Sequence, residues 1–132
     1  MTVMPRAHRP GSTELLRMVH GAGIRDERVL EAVARVPRVE FVPPDAAAGS
    51  YFDEPIPIGR EQVTTQPSLV ARMVEALSLR GGEHVLEIGT GLGWQTALLA
   101  TLAKRVWSVE RFPVLAEAAR RNLAGRGIVN AE

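Results

Sequence analysis

The sequence has no cysteine and only three histidines among its 132 residues. Without cysteine, the chain can form neither a disulfide framework nor a thiolate metal site. The histidines, His8, His20 and His84, lie in different segments, and none belongs to an HxxxH or HExxH pair. We therefore expect no metal site.

The sequence also lacks an excess of either charge and a long apolar run. Its net charge is +1, with acidic and basic residues interspersed, whereas a dedicated nucleic-acid binder usually carries a basic stripe. No apolar run approaches the roughly 20 residues that span a bilayer, and the stretch MTVMPRAHRPGS lacks the apolar segment of a secretory signal. The sequence thus predicts a cytoplasmic protein that binds neither nucleic acid nor membrane.

What the chain does contain is the composition of a globular domain, with 45% hydrophobic and 23% charged residues. Eight of its nine prolines lie at or before Pro67. We therefore divide the chain at this point. Residues 1–67 are expected to form helices and an extended loop, and residues 68–132 regular α/β structure.

In the first part, helical spacing predicts two short helices. Gly21 ends the first, while Asp26 begins the second and Pro37 stops it. The long stretch FVPPDAAAGSYFDEPIPIGREQVTTQP follows with little periodicity. Apolar residues such as Phe41 and Ile56 predict that it is an ordered loop packed on the domain, and long ordered loops are usually functional.

The second part alternates helices and strands. The pattern predicts a helix after Pro67, a buried strand in HVLEIG, a helix in WQTALLATLAK, a strand in RVWSVE and a helix over 113–124. This order is typical of the opening of a doubly wound parallel sheet.

The segment LEIGTGLGWQTA places glycines at Gly89, Gly91 and Gly93, after a strand and before a helix. In this context a glycine loop binds a nucleotide, because glycine lets the backbone approach the ligand closely. Glu110, which closes the next strand 21 residues past Gly89, is placed to accept hydrogen bonds from ribose hydroxyls.

Two interpretations of this loop follow from the residues alone. A dinucleotide loop has the form GxGxxG, whereas the glycines here run GxGxG, and the acid Glu87 precedes them. A negative charge at that position suits a cationic ligand better than a pyrophosphate. The pattern favours S-adenosylmethionine, which carries an ammonium and a sulfonium, over the dinucleotide of an oxidoreductase.

The sequence also resembles the protein-L-isoaspartate O-methyltransferase family over most of its length. VLEIGTGLGWQTALLATLAKRVWSVER is similar to that family's cofactor segment, and IRDERVLEAVARVPRVEFVPP and PIPIGREQVTTQPSLVARMVEAL are similar to its N-terminal part. The resemblance implies a Rossmann-like class I methyltransferase fold with a helical N-terminal extension. Because family members continue with further strands, it implies that this fold is truncated here after the second strand–helix unit.

The resemblance also implies roles for individual residues. IGREQVTTQP resembles the family pattern IGxxQTISQP, in which the active-site serine falls on Thr65. The residues that the resemblance assigns to the methyl donor are Gln62, Val63, Thr64, Glu87, Gly89, Thr90, Gly91, Gly93 and Glu110.

The activity implied is methylation of the free α-carboxylate of L-isoaspartyl residues in damaged proteins, with S-adenosylmethionine as the donor. Val63, Thr64 and Trp94 depart from the family's usual threonine, isoleucine and tyrosine. Two other interpretations therefore stay open: a related carboxyl methyltransferase of a peptide modification pathway, and a non-catalytic remnant. Self-association through exposed sheet edges is also expected, because two strands make a small sheet.

Overall fold

The computed structural model describes residues 10–132. Its N-terminal part begins with two helices. Helix α1 spans Pro10–Gly21 and helix α2 spans Glu27–Arg35. Asp26 caps α2, because its carboxylate accepts a hydrogen bond of 2.9 Å from the backbone N–H of Arg28. Both predicted helices are confirmed.

Residues 38–64 contain more regular structure than their sequence predicts. Two short 3₁₀ segments, Arg38–Phe41 and Pro44–Tyr51, precede an antiparallel hairpin of β1 (Ile56–Gly59) and β2 (Gln62–Thr64). Phe41 and Ile56 are buried, so the expectation of an ordered, anchored loop is correct. The sequence does not predict the hairpin within this loop, since strands of four and three residues are too short to show a period.

The hairpin turns through two non-glycine residues with positive φ. Arg60 has a φ of 55° and Glu61 a φ of 57°, the combination that a type I′ turn requires. This turn matches the twist of the two strands, but side chains raise its energy relative to Asn-Gly. The tip of the hairpin is therefore strained.

The second part has the predicted order of elements. Helix α3 (Pro67–Ala76) is followed by β3 (His84–Ile88), α4 (Trp94–Leu102), β4 (Arg105–Val109) and α5 (Pro113–Gly125). Strands β3 and β4 pair in parallel, with His84 opposite Arg105 and Ile88 opposite Val109. Ala131 forms an isolated parallel bridge with Val106 of β4.

One hydrophobic core draws on both parts of the chain. Val19 and Val33 from the N-terminal helices pack in the same cluster as Leu98 from α4 and Val106 from β4. The division of the chain at residue 67 stays a prediction about sequence organisation.

Within residues 10–132, the sheet is covered on one face only. Val106 and Glu87 face α4 and are buried, whereas Leu86 is 65%, Ile88 76% and Val109 52% exposed. The prediction that HVLEIG is a buried strand is therefore wrong for the opposite face, because a run of apolar residues does not show which elements cover it. We call this uncovered surface, formed by Leu86, Ile88, Trp107 and Val109, the open sheet face.

Candidate functional site

The glycine loop lies between the carboxyl end of β3 and the start of α4. Gly89 has a φ of 91°, and a Cβ built on it would meet no atom within 4 Å. Its backbone N–H donates to the carbonyl of Val109 at 2.7 Å. The loop therefore leaves open space beside a backbone conformation that glycine adopts without strain.

The end of the hairpin lies across from this loop. Thr64 and Thr65 share a narrow cleft of about 60 Å³ with Val63 and the glycine loop. The other lining residues are Phe41, Val70, Gly89, Thr90, Gly91, Leu92, Gly93, Trp94 and Gln95. The fold thus brings the Thr64–Thr65 segment and the glycine loop, which are far apart in sequence, to one cleft.

Glu87 lies beneath the loop and is only 4% exposed. Its Oε1 accepts hydrogen bonds from the hydroxyls of Thr96 at 2.5 Å and Ser108 at 2.6 Å. Its Oε2 is buried without a hydrogen-bond partner among the described residues. Burial raises the pKa of Glu87 above its usual range, and the nearby hydroxyls of Ser108 and Thr96 and the amide of Gln95 oppose that rise.

A chain of hydroxyl groups joins Glu87 to the glycine loop. The Thr90 Oγ1 lies 2.5 Å from the Ser108 Oγ. Because Ser108 has one hydroxyl proton, which it donates to Glu87, Thr90 is the donor in this pair. The chain fixes the loop against β4.

Glu110 closes β4 and holds the loop from the other side. Its carboxylate accepts from the backbone N–H of Gly91 at 3.0 Å and of Phe112 at 2.9 Å. A carboxylate has about four lone-pair sites, so it retains capacity for a ligand. Glu110 also lines a larger cavity of about 580 Å³. Thr90 lines both this cavity and the narrow cleft.

These residues fit the cationic ligand that the sequence suggests. The buried Glu87 Oε2 lacks a proton donor, and an unpaired buried carboxylate oxygen is costly. The open space at Gly89 gives a ligand close access to the backbone. The two carboxylates, Glu87 and Glu110, can accept hydrogen bonds from the ammonium and hydroxyl groups of such a ligand.

The sequence-predicted site residues fall in four places. Seven line the narrow cleft: Val63, Thr64, Thr65, Gly89, Thr90, Gly91 and Gly93. Glu87 lies beneath it and Glu110 beside it, while the Gln62 side chain is exposed and bonds to the carbonyl of Arg60. Their ligand roles stay predictions.

Sequence reasoning missed Arg38 and the hydroxyls of Thr96 and Ser108. Arg38 is only 2% exposed, and nothing in the sequence distinguishes it from the other arginines. The alternation of β4 could have indicated Ser108, because it places a polar residue on the same face as the buried Val106.

Parallel strands joined by a glycine loop and helix, with Glu87 before the loop and Glu110 after the second strand, define a Rossmann-like α/β fold of the class I methyltransferase type. The chain belongs to the family described as "Protein-L-isoaspartate(D-aspartate) O-methyltransferase (PCMT)", whose family model matches residues 11–131.

Curated relatives agree with this membership. The chain is 56% identical over 114 residues to a protein-L-isoaspartate O-methyltransferase of Anaeromyxobacter dehalogenans, covering 86% of this chain and 54% of the relative. It is 54% identical over 108 residues to that of Myxococcus xanthus, covering 82% and 51%. The chain therefore spans about half the length of the curated relatives it matches.

Solved structures have the same fold. A protein-L-isoaspartate O-methyltransferase superposes with a TM-score of 0.78 and 30% identity, covering 91% of this chain and 40% of that one. A Plasmodium falciparum protein solved in complex with S-adenosyl-L-homocysteine superposes with a TM-score of 0.72 at 20% identity, covering 94% of this chain and 62% of that one. Within residues 10–132, no helix is both long enough and apolar enough to cross a membrane.

Proposed function

We propose that this chain supplies the methyl-donor site of an S-adenosylmethionine-dependent methyltransferase that esterifies the α-carboxylate of L-isoaspartyl residues in damaged proteins. The observation that carries the proposal is the narrow cleft, in which Thr64 and Thr65 face the glycine loop. Membership of the family supports the same activity. A cytoplasmic location, where such repair would occur, stays a prediction.

The reaction needs positioning more than acid–base chemistry. A carboxylate is already ionised at pH 7, and S-adenosylmethionine supplies an activated methyl group on a positively charged sulfur. A carboxylate oxygen forms the new O–CH₃ bond as the S–CH₃ bond breaks, which leaves a neutral thioether. The protein must therefore hold the two groups in line and exclude water.

We expect the methyl donor to extend across both cavities and the substrate carboxylate to lie in the narrow cleft. Because Thr90 borders both, a ligand extended along the glycine loop would have one end near Glu110 and the other near Thr65. Glu110 would accept from ribose hydroxyls, and the Glu87 Oε2 would compensate the ligand's positive charge. The Thr65 hydroxyl would donate a hydrogen bond that orients the substrate carboxylate.

A second candidate is a carboxyl methyltransferase that acts on a particular peptide in a modification pathway. Val63, where the family usually has threonine, is 53% exposed and lines the cleft. An apolar side chain at this point favours a substrate with an apolar neighbour to the carboxylate. A non-catalytic remnant is the remaining alternative.

Transfer of labelled methyl from S-adenosylmethionine to paired peptides tests the proposal. The peptides differ only in containing isoaspartate or aspartate at one position. Base-labile label on the isoaspartyl peptide alone is the expected result. Label on both peptides would favour the modification enzyme, and binding of the donor without transfer would contradict catalysis by this chain.

Substitution of Thr65 tests the role assigned to its hydroxyl. Thr65→Val keeps the shape but removes the proton donor, so kcat/KM for the isoaspartyl peptide should fall about 10- to 100-fold, the value of a hydrogen bond to a charged group. Thr65→Ser restores the hydroxyl and should remain within about threefold of the original. Equal activity of the Val and Ser variants would remove Thr65 from the mechanism.

We also propose that the open sheet face mediates self-association. Its apolar side chains lie beside the edge of β3 that pairs with no strand of residues 10–132. Such an arrangement promotes pairing with another chain. Sedimentation velocity should show a mass that rises with protein concentration, and Val109→Lys should abolish this rise. The matched control is Val114→Lys, which charges a side chain of equal exposure, 52%, to that of Val109 but lies on α5. A concentration-independent monomer mass for the unmodified chain would contradict the proposal.

A further inference from the structure

Arg38 is the most deeply buried charged side chain of the described residues, at 2% exposure. Burial lowers its pKa to about 10, and the nearby Asp53 carboxylate opposes this change. The guanidinium therefore still carries its charge at neutral pH. A buried cation is costly unless its donors are satisfied. The Arg38 Nη1 and Nη2 have acceptors, whereas its Nε has none among the described residues.

The guanidinium contacts both ends of the β1–β2 hairpin. Before β1, it donates to the carbonyls of Phe52 at 3.2 Å and Glu54 at 2.8 Å. After β2, its Nη2 lies 3.4 Å from both the Thr64 hydroxyl and the Thr65 carbonyl. One planar group thus joins the two strands at the base of the hairpin.

The guanidinium of Arg38 also contacts the first residue of α4, the helix that follows the glycine loop. The Arg38 guanidinium carbon lies 5.7 Å from the ring centroid of Trp94, the first residue of α4. The Trp94 indole in turn donates to the carbonyl of Val36 at 2.9 Å. Arg38 therefore touches the segment on each side of the narrow cleft.

We propose that Arg38 is a positioning residue that sets the distance between the Thr64–Thr65 segment and the glycine loop, and so determines how the cleft receives the substrate carboxylate. It does this through the hairpin and Trp94, without touching the reacting groups. This inference rests on the proposed function for its effect on catalysis. Its structural part is independent of that function.

Lysine cannot replace arginine in this arrangement. The hairpin offers acceptors in two directions, which suits the planar fork of a guanidinium, whereas an ammonium is a compact point charge on a flexible stem. Arg38→Lys should therefore keep the charge but lose contact with one end of the hairpin. Arg38→Met should lose contact with both ends.

Hydrogen–deuterium exchange of the full chain tests the structural part. In Arg38→Met, amides of residues 62–65 should exchange at least about tenfold faster, as expected when hydrogen bonds from a charged donor are lost. Arg38→Lys, which retains the charge and is the more conservative change, should show an intermediate increase. Amides of β3 should be unchanged in both variants.

The matched control is Arg28→Met. The Arg28 guanidinium also joins two elements by donating to a backbone carbonyl, that of Leu79, but it lies away from the cleft. Its loss should leave exchange at residues 62–65 unchanged. Unchanged exchange at residues 62–65 in both Arg38 variants, or an equal increase in the Arg28 control, would overturn the positioning role.

Kinetics test the functional part. In Arg38→Lys, KM for the isoaspartyl peptide should rise about tenfold while the dissociation constant of S-adenosylmethionine changes less than about threefold. A purely structural defect would weaken both or neither. If the unmodified chain transfers no methyl group, the proposed function fails for this chain, and the exchange result still decides the role of Arg38.

Discussion

Glu87→Gln is expected to bind S-adenosylmethionine about 30-fold more weakly than the unmodified chain, while its free energy of unfolding at neutral pH stays equal or rises. The expected loss of binding corresponds to about 2 kcal/mol, the contribution of a hydrogen bond between charged groups. Isothermal titration with the methyl donor measures the first effect, and urea unfolding without ligand measures the second.

The substitution weakens binding without lowering stability because the negative charge of Glu87 is buried and only partly compensated by hydrogen bonds. One oxygen accepts from Thr96 and Ser108, and glutamine keeps this acceptor. The other oxygen has no partner among the described residues, and a neutral amide there is less costly than a negative charge. The carboxylate thus destabilises the ligand-free fold at neutral pH and, by the proposal, stabilises the complex.

The pH dependence of stability follows from the same burial. The folded chain holds the Glu87 proton to higher pH than the unfolded chain, because burial raises the pKa of Glu87 above its ordinary value of 4.5. Its contribution to stability is therefore most favourable below pH 4.5 and falls as pH rises toward the raised pKa.

Unfolding measured across this pH range should show a smaller decline in Glu87→Gln than in the unmodified chain. Glu117→Gln, at an exposed position on α5, is the control and should follow the unmodified chain. An unchanged affinity for the methyl donor in Glu87→Gln would exclude Glu87 from the cofactor site.

Gly93→Ala is expected to lower the free energy of unfolding by about 2 to 4 kcal/mol, from the combined cost of a left-handed backbone and an overpacked contact. Gly93 has a φ of 98°, and a Cβ there would lie 3.3 Å from the Leu123 Cγ and 3.5 Å from the Ala119 Cβ. The glycine therefore allows α5 to pack against the start of α4.

Two further variants separate the two causes. Gly82→Ala has an ordinary φ and open space around its Cβ, so its free energy of unfolding should change by about 0.5 kcal/mol or less. Adding Leu123→Ala to Gly93→Ala should relieve the contact but not the backbone strain, so the two changes should be less than additive. Urea midpoints of these variants, of Leu123→Ala alone and of the unmodified chain provide the measurement. A Gly93→Ala midpoint equal to that of Gly82→Ala would contradict the expected cost of the Cβ at residue 93.

The sequence predicts the parts of this fold that have strong local signals. Asp26 caps α2 as expected, and the glycines mark the loop between β3 and α4. The sequence does not reveal the hairpin, because its strands are short and Pro57 interrupts one of them. It also does not reveal that Leu86 and Ile88 are exposed, since this depends on which elements cover the sheet.

The sequence predicts most residues of the candidate site but not the hydrogen bonds that hold them together. Resemblance to the family places Thr65 and the glycine loop, and the fold brings them to one cleft. The buried Arg38 was not predictable, because arginine is usually exposed and its acceptors are carbonyls from distant positions in the sequence.

The hydroxyl chain also determines the hydrogen-bond polarity of the glycine loop. With Glu87 ionised, the proton of Ser108 points toward Glu87 and that of Thr90 toward Ser108. The Thr90 oxygen therefore presents only lone pairs to a ligand. It can accept from a hydroxyl or an ammonium group but has no proton to donate to a phosphate oxygen. The orientation of two protons thus makes the Thr90 hydroxyl an acceptor for the ligand at this loop.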